Sequence, residues 1–226
     1  MLELKTDGII LNSLNFRDYD QILTVFSNDQ GIVKLIVKRA HSKKNSKSAL
    51  TAPLTRAEFV YVKGRSEIFT CREISPLNQH LDLRTKWEDL TAAGDMAKAI
   101  LETQMPHKPA GTLFELLHCY LSKIPSCIDP NALAASFRLK ILRHDGLLHL
   151  TPDCSICHST LCDQHIAEGQ SYCGDHAPSG ALTFTSIEME TLLLLTFSRS
   201  LSILAMTSLS IELQTKIVHL FKCAIS

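Results

Sequence analysis

The chain has 226 residues, 45% of them hydrophobic and 20% charged, with 23 Lys+Arg against 23 Asp+Glu. That apolar content excludes an intrinsically disordered chain, and only 9 Gly and 8 Pro exclude collagen-like and low-complexity classes. The length suits one large domain or two to three small ones.

The first residues, 1–12, carry Glu3 and Asp7 and show no basic-then-apolar signal pattern. Strands are expected at residues 6–14, 21–26 (QILTVF) and 31–37 (GIVKLIV), the last two separated by the turn signal Ser27-Asn28-Asp29-Gln30-Gly31. A basic, Ser-rich loop covers residues 41–48. Strands follow at 56–62 (RAEFVYV) and 66–74 (SEIFTCREI), with Lys63-Gly64 turning the chain between them. Five short strands in so few residues predict a small barrel or sandwich. Phe59 and Tyr61 share one face of their strand, so they form either the barrel core or a stacking platform. A small barrel needs large side chains inside, which favours the core.

Beyond residue 81 the period becomes helical. Helices are expected over 81–104, with Trp87 among the apolar positions, and over 113–124 and 132–144. Thr185-Ser186-Ile187-Glu188 reads as a helix start with Ser186 as N-cap, and a last helix covers 211–223. The most apolar stretch, 192–209, is interrupted by Arg199 and by Ser198, Ser200, Ser202 and Ser208, so no membrane span is expected. The layout is a β domain at 1–80 and a helical domain at 81–226, with a small insert at 151–180.

Net neutrality hides segregation. Between Lys34 and Arg72 ten basic residues face only Glu58 and Glu67, a net charge of +8, while residues 81–226 carry −4. Such asymmetry points to an anionic partner for the basic part.

Four of the eight cysteines, Cys154, Cys157, Cys162 and Cys173, fall within 20 residues. Cys154-Ser155-Ile156-Cys157, then fifteen residues, then Cys173-Gly174-Asp175-His176 gives the pattern C-x2-C-x15-C-x2-H. Two tight turns of this kind each offer two ligands to a tetrahedral ion, for which zinc is the usual occupant. His176 has the right spacing for the fourth ligand, while Cys162, His158 and His165 lie close enough to compete. One metal site and few other clustered thiols suit a cytosolic protein. No H-x-E with P-C-x-x-C, no H-E-x-x-H, no Walker A loop and no G-x-S-x-G occurs. The zinc is therefore expected to be structural and the protein not an enzyme.

Taken together, these features resemble the bacterial recombination-mediator family RecO. Thr6-Asp7-Gly8-Ile9-Ile10-Leu11 is similar to the family's T-E-G-I-V-L opening, and residues 18–26 (DYDQILTVF) to its E-S-D-K-I-V-T-L-F strand. Residues 31–44 resemble its G-x-x-x-x-x-A-K-G-A-R-x-x-K-S stretch, and 54–64 its L-x-x-x-E-x-x-Y-x-G segment. Residues 154–176 sit where the family carries C-x-x-C…C-x-x-C. Here His176 replaces the last cysteine, the family's loop glycine is missing from Lys38-Arg39-Ala40-His41, and the C-terminal helix has few basic residues.

The resemblance implies an α+β multidomain protein: an N-terminal OB-fold β-barrel and a C-terminal α-helical domain with a zinc-binding insert holding one Zn2+. It implies a DNA repair and homologous recombination mediator that binds single- and double-stranded DNA and anneals complementary strands. Family partners are RecR and the single-stranded-DNA-binding protein, with a functional link to RecA loading on coated single strands. A cytoplasmic, nucleoid-associated location follows. By position, Lys34, Lys38, Arg39, Lys43, Lys44, Arg56 and Arg65 would line the DNA path. Cys154, Cys157, Cys173 and His176 would hold the metal. The main rival is a zinc-stabilised protein-interaction scaffold without nucleic-acid affinity. A zinc-dependent hydrolase and an RNA-binding OB protein are the others.

Overall fold

The computed structural model describes residues 2–42, 45–46, 49–64, 66–161 and 164–226, with backbone alone at Leu2, His41, Ser42, Asn45 and Ser46. It divides into two compact units, Met1–Ser122 and Lys123–Ser226.

The first unit opens with β1 (Leu2–Phe16), β2 (Asp20–Ser27) and β3 (Gly31–Val37), followed by the two-residue strands β4 (His41–Ser42) and β5 (Asn45–Ser46). Then come β6 (Arg56–Lys63) and β7 (Ile68–Asn78). Strands β1, β2, β3, β7 and β6 close a barrel in that order, with only β3–β7 parallel. This is the five-stranded OB-fold barrel. Alternate residues point inward, so Leu23, Leu35, Phe59, Tyr61 and Phe69 fill the interior. Tyr61 and Phe69 stack with centroids 5.6 Å apart. Phe59 and Tyr61 are core residues, as the size of the barrel demands.

Strand β1 is long because it serves two neighbours. It pairs with β6 through residues 2–9 and with β2 through residues 8–16. The overlap falls at Gly8, where a Cβ would lie 2.4 Å from Val25 Cγ1. Just before it, Thr6 Oγ1 meets Ser27 Oγ at 2.6 Å and also donates to Asp29. The Asp7 carboxylate pairs with the Arg56 guanidinium at 2.6 Å, and the Asp7 carbonyl accepts the Asn28 amide at 3.0 Å. A register shift at Leu11 then bends β1. At the β2–β3 turn Gly31 has φ 68°, and a Cβ there would stand 2.2 Å from the Lys108 carbonyl oxygen.

Helices α1 (Trp87–Thr103) and α2 (Gly111–Lys123) follow. The expected helix over 81–104 is two pieces, a 3-10 turn at Leu81–Arg84 and then α1. Lys86 between them is extended, and the Thr85 hydroxyl bonds back to the Asp82 carbonyl at 2.7 Å. Trp87, expected on the apolar face, is the first helical residue and is 76% exposed. Phe114 of α2 packs on Phe26, and the Arg56 guanidinium lies over the Phe114 ring. Beside them His80 meets His118 edge-on at 5.9 Å, with His80 Nε2 and His118 Nδ1 both buried and without a hydrogen-bond partner.

The second unit is built around α3 (Pro130–His144), ten of whose residues are buried, so it has no strong amphipathic stripe. Asp129 caps it through the Asn131 amide and also accepts the Leu209 amide, both at 2.9 Å. A three-stranded sheet follows: β8 (Gln164–Ala167), β9 (Gln170–Tyr172) and β10 (Leu182–Phe184), in the order β10-β8-β9. Helices α4 (Ser186–Phe197), α5 (Leu201–Ala205) and α6 (Ile211–Ile225) complete it. The N-cap of α4 is Thr185, not Ser186. Its hydroxyl accepts the Glu188 amide, and the Glu188 carboxylate accepts the Thr185 amide, a reciprocal capping box. Glu188 also receives Lys216 of α6 at 2.8 Å on both oxygens. Among the described residues no helix is long and apolar enough to cross a membrane.

Two predictions follow from the first unit. Gly8→Ala forces its methyl into Val25 and should destabilise the barrel by about 1–3 kcal/mol, read as a lower urea midpoint. Burial, with His118 and Arg56 adding, pushes His80 down to about 4, and burial also lowers His118. The unfolded chain therefore binds protons that the fold excludes. Stability is complete above the ordinary value of 6.5 and falls as the pH drops towards 4. Denaturant titration between pH 6.5 and 5 should show a loss of at most about 1.4 kcal/mol per pH unit for each histidine, reduced in His118→Leu.

Candidate metal centre and nucleic-acid interface

The insert carries its ligands on two turns. In the first, the Cys154 amide bonds the Ser159 carbonyl and the Cys154 carbonyl accepts the His158 amide. In the second, the His176 amide donates to the Cys173 carbonyl. Between them the β8–β9 hairpin turns at Glu168-Gly169, both with positive φ, and a Cβ on Gly169 would stand 1.9 Å from the Leu147 carbonyl oxygen. Ser155 bonds the Ser171 carbonyl at 2.9 Å through both its amide and its hydroxyl, which fastens the first turn to β9.

These turns bring Cys154, Cys157, Cys173 and His176 together, with ligand atoms all within 4.8 Å of one another. Cys157 Sγ and Cys173 Sγ are 3.9 Å apart, and His176 Nδ1 lies 3.2 Å from Cys173 Sγ and 3.9 Å from Cys154 Sγ. A tetrahedral zinc ion with ordinary Zn–S and Zn–N lengths sets S–S near about 3.8 Å and S–N near about 3.6 Å. The donor set fits zinc. Burial of Cys154 opposes ionisation, but amides of Cys157, Cys173 and Ile156 aimed at its sulfur bring the thiol down to about 6. Cys157 is lowered chiefly by Ser159, whose Oγ stands 2.9 Å from its sulfur. Both effects favour the thiolate that a metal requires. Of the competing ligands, His165 Nδ1 instead meets Thr183 Oγ1 at 3.1 Å, and His158 lies outside the cluster. Cys162 lies outside the described residues.

The basic residues lie in the first unit. Lys34 is exposed on β3, and Lys38 and Arg39 are exposed directly after it. Arg39 has φ 55°, and its amide donates to the Asp20 carboxylate at 2.9 Å. Arg56 lies on β6 with its guanidinium committed to Asp7, which raises its pKa and neutralises its charge locally. Lys43, Lys44 and Arg65 lie outside the described residues. Phe59 and Tyr61 lie in the core, as the sequence favours, whereas Phe16 and Tyr19 stay exposed at the β1–β2 loop.

A family model described as "Recombination protein O N terminal" matches residues 1–80, the barrel. A DNA repair protein RecO of Chlamydia pneumoniae is 25% identical over 97% of this chain and 88% of its own length. The protein of that name from Chlamydia trachomatis serovar L2 is 25% identical over 100% of this chain and 93% of its own. One from Acetivibrio thermocellus is 28% identical over 71% of this chain and 64% of its own. The first 80 residues match the family's N-terminal model, and the chain is similar over its whole length to RecO proteins.

Removing a metal ligand should uncouple the insert from its source of folding energy. Cys157→Ser is expected to lower zinc content, measured by metal analysis, together with the melting temperature. A variant that lost zinc and kept full stability would sink a structural role for the metal.

Proposed function

We propose that this protein is a mediator of recombinational DNA repair that binds single- and double-stranded DNA and anneals complementary strands. The observation that carries the reading is an OB barrel whose strand β3 and the residues directly after it present Lys34, Lys38 and Arg39 to solvent, in a chain similar to RecO proteins. Phosphates bind such a surface by displacing condensed counterions, so affinity is largely independent of sequence and falls with salt. Two strands held on one basic surface repel each other less, which favours their pairing. No covalent step and no nucleotide hydrolysis enter, so the protein acts without catalytic residues. Lys43, Lys44 and Arg65 extend the same basic segment, while Arg56, paired to Asp7, braces the barrel beneath it.

In the cell this activity serves RecA loading on coated single strands, together with RecR and the single-stranded-DNA-binding protein. The protein works in the cytoplasm at the nucleoid. Zinc held by Cys154, Cys157, Cys173 and His176 supplies folding energy to the insert.

The test is annealing of two complementary oligonucleotides, without ATP, at several salt concentrations. Acceleration is expected and should weaken as salt rises. Lys38→Gln with Arg39→Gln should reduce the log–log salt slope of single-strand binding by about 1.4, two phosphate contacts at about 0.7 each. Absence of both annealing and binding at low salt would overturn the proposal and favour the interaction-scaffold reading.

A further inference from the structure

We infer that Asp20 is a positioning residue for nucleic-acid binding: its carboxylate fixes the turn after β3 that bears Lys38 and Arg39, and so sets where both cations point. The inference rests on the proposed DNA-binding function and names a residue of opposite charge on which the basic segment depends.

The backbone at the end of β3 carries it. The strand stops at Val37, which is 2% exposed, and Ala40, three residues later, is fully buried in the barrel core. Lys38 and Arg39 lie between these two anchors, and both are exposed. The chain thus has two residues in which to leave the barrel wall and return to it. Arg39 makes that reversal with φ 55°, in the left-handed region. A residue with a Cβ meets its own backbone there, a steric cost that glycine escapes. The compensation comes from β2. The Arg39 amide donates to Asp20 Oδ1 at 2.9 Å. Asp20 is the first residue of β2, directly before Gln21, which pairs with Val37, and its own backbone is registered opposite Phe16 of β1. The acceptor therefore stands on a paired strand, and the turn is held to it.

Backbone strain persists only where the surroundings over-determine it, and such places cluster at functional sites. What this strained turn achieves is to keep Lys38 and Arg39 adjacent and outside the barrel. Long side chains that start from a fixed backbone lose less freedom when they meet phosphate. Asp20 also places a negative charge beside those cations, and by Coulomb's law alone its removal strengthens DNA binding. Positioning acts in the opposite sense, so the two effects are separable.

The experiment uses the full chain and fluorescence anisotropy with a thymidine oligonucleotide at several salt concentrations. Asp20→Asn and Asp20→Ala carry the same net charge, and only asparagine keeps an oxygen that accepts the Arg39 amide. Asp20→Ala is expected to bind about threefold to tenfold more weakly than Asp20→Asn, the range for losing the preset orientation of one or two long side chains. Hydrogen exchange should find the Arg39 amide protected in wild type and in Asp20→Asn and unprotected in Asp20→Ala. With Lys38→Gln and Arg39→Gln added, the two Asp20 variants should bind alike, because no cation is left to position. A thermal melt verifies folding. Asp20→Glu, which keeps the charge and moves the oxygens one methylene away, serves as the milder variant and should bind more weakly than wild type. If Asp20→Ala binds as tightly as Asp20→Asn or tighter, while Lys38→Gln with Arg39→Gln weakens binding, the positioning role is overturned and the DNA-binding function stands. If wild type binds no DNA, the proposed function fails and this inference with it.

Discussion

The barrel depends on one shared strand. Because β1 pairs with β6 through its first half and with β2 through its second, the sheet closes only if a single segment satisfies both neighbours at residues 8 and 9. Closure removes the exposed edges that an open five-stranded sheet would present. Three consecutive side chains adapt the strand to that double duty. Thr6 ties it to Ser27 and Asp29 at the β2–β3 turn, Asp7 anchors Arg56 at the start of β6, and Gly8 leaves room for Val25. The β2–β3 turn so held sets where β3 begins, and β3 carries Lys34. Position of the basic surface thus follows from packing on the far side of the strand that bears it.

Much of this was legible in the sequence, and the reasons for the exceptions are physical. Strands β2, β3 and β6 alternate cleanly, so their faces could be read from period alone. The insert strands β8, β9 and β10 could not, being four or three residues long and largely polar, as in Gln170-Ser171-Tyr172. Their order comes from the Gly169 turn and the pairing of β10 with β8, which is tertiary information. The same holds for the fourth ligand: His176 has the right spacing, with Cys162, His158 and His165 close enough to compete, and it is the fold that brings His176 Nδ1 to 3.2 Å from Cys173 Sγ while the pairing of β8 with β10 sets His165 against Thr183. Ser186 and Thr185 are both good caps. Glu188, three residues after Thr185, makes the box that decides between them.

Charge shows the limit of counting. Arg56 and Lys34 add equally to the net +8 of the basic segment. In the fold one is locked to a carboxylate and an aromatic ring, and the other stands in solvent. A partner responds to the potential at the surface, not to the sum along the chain. Side-chain direction has the same effect on the aromatics. Phe59, Tyr61 and Phe69 supply core volume, whereas the register shift at Leu11 leaves Leu14 and Phe16 outside.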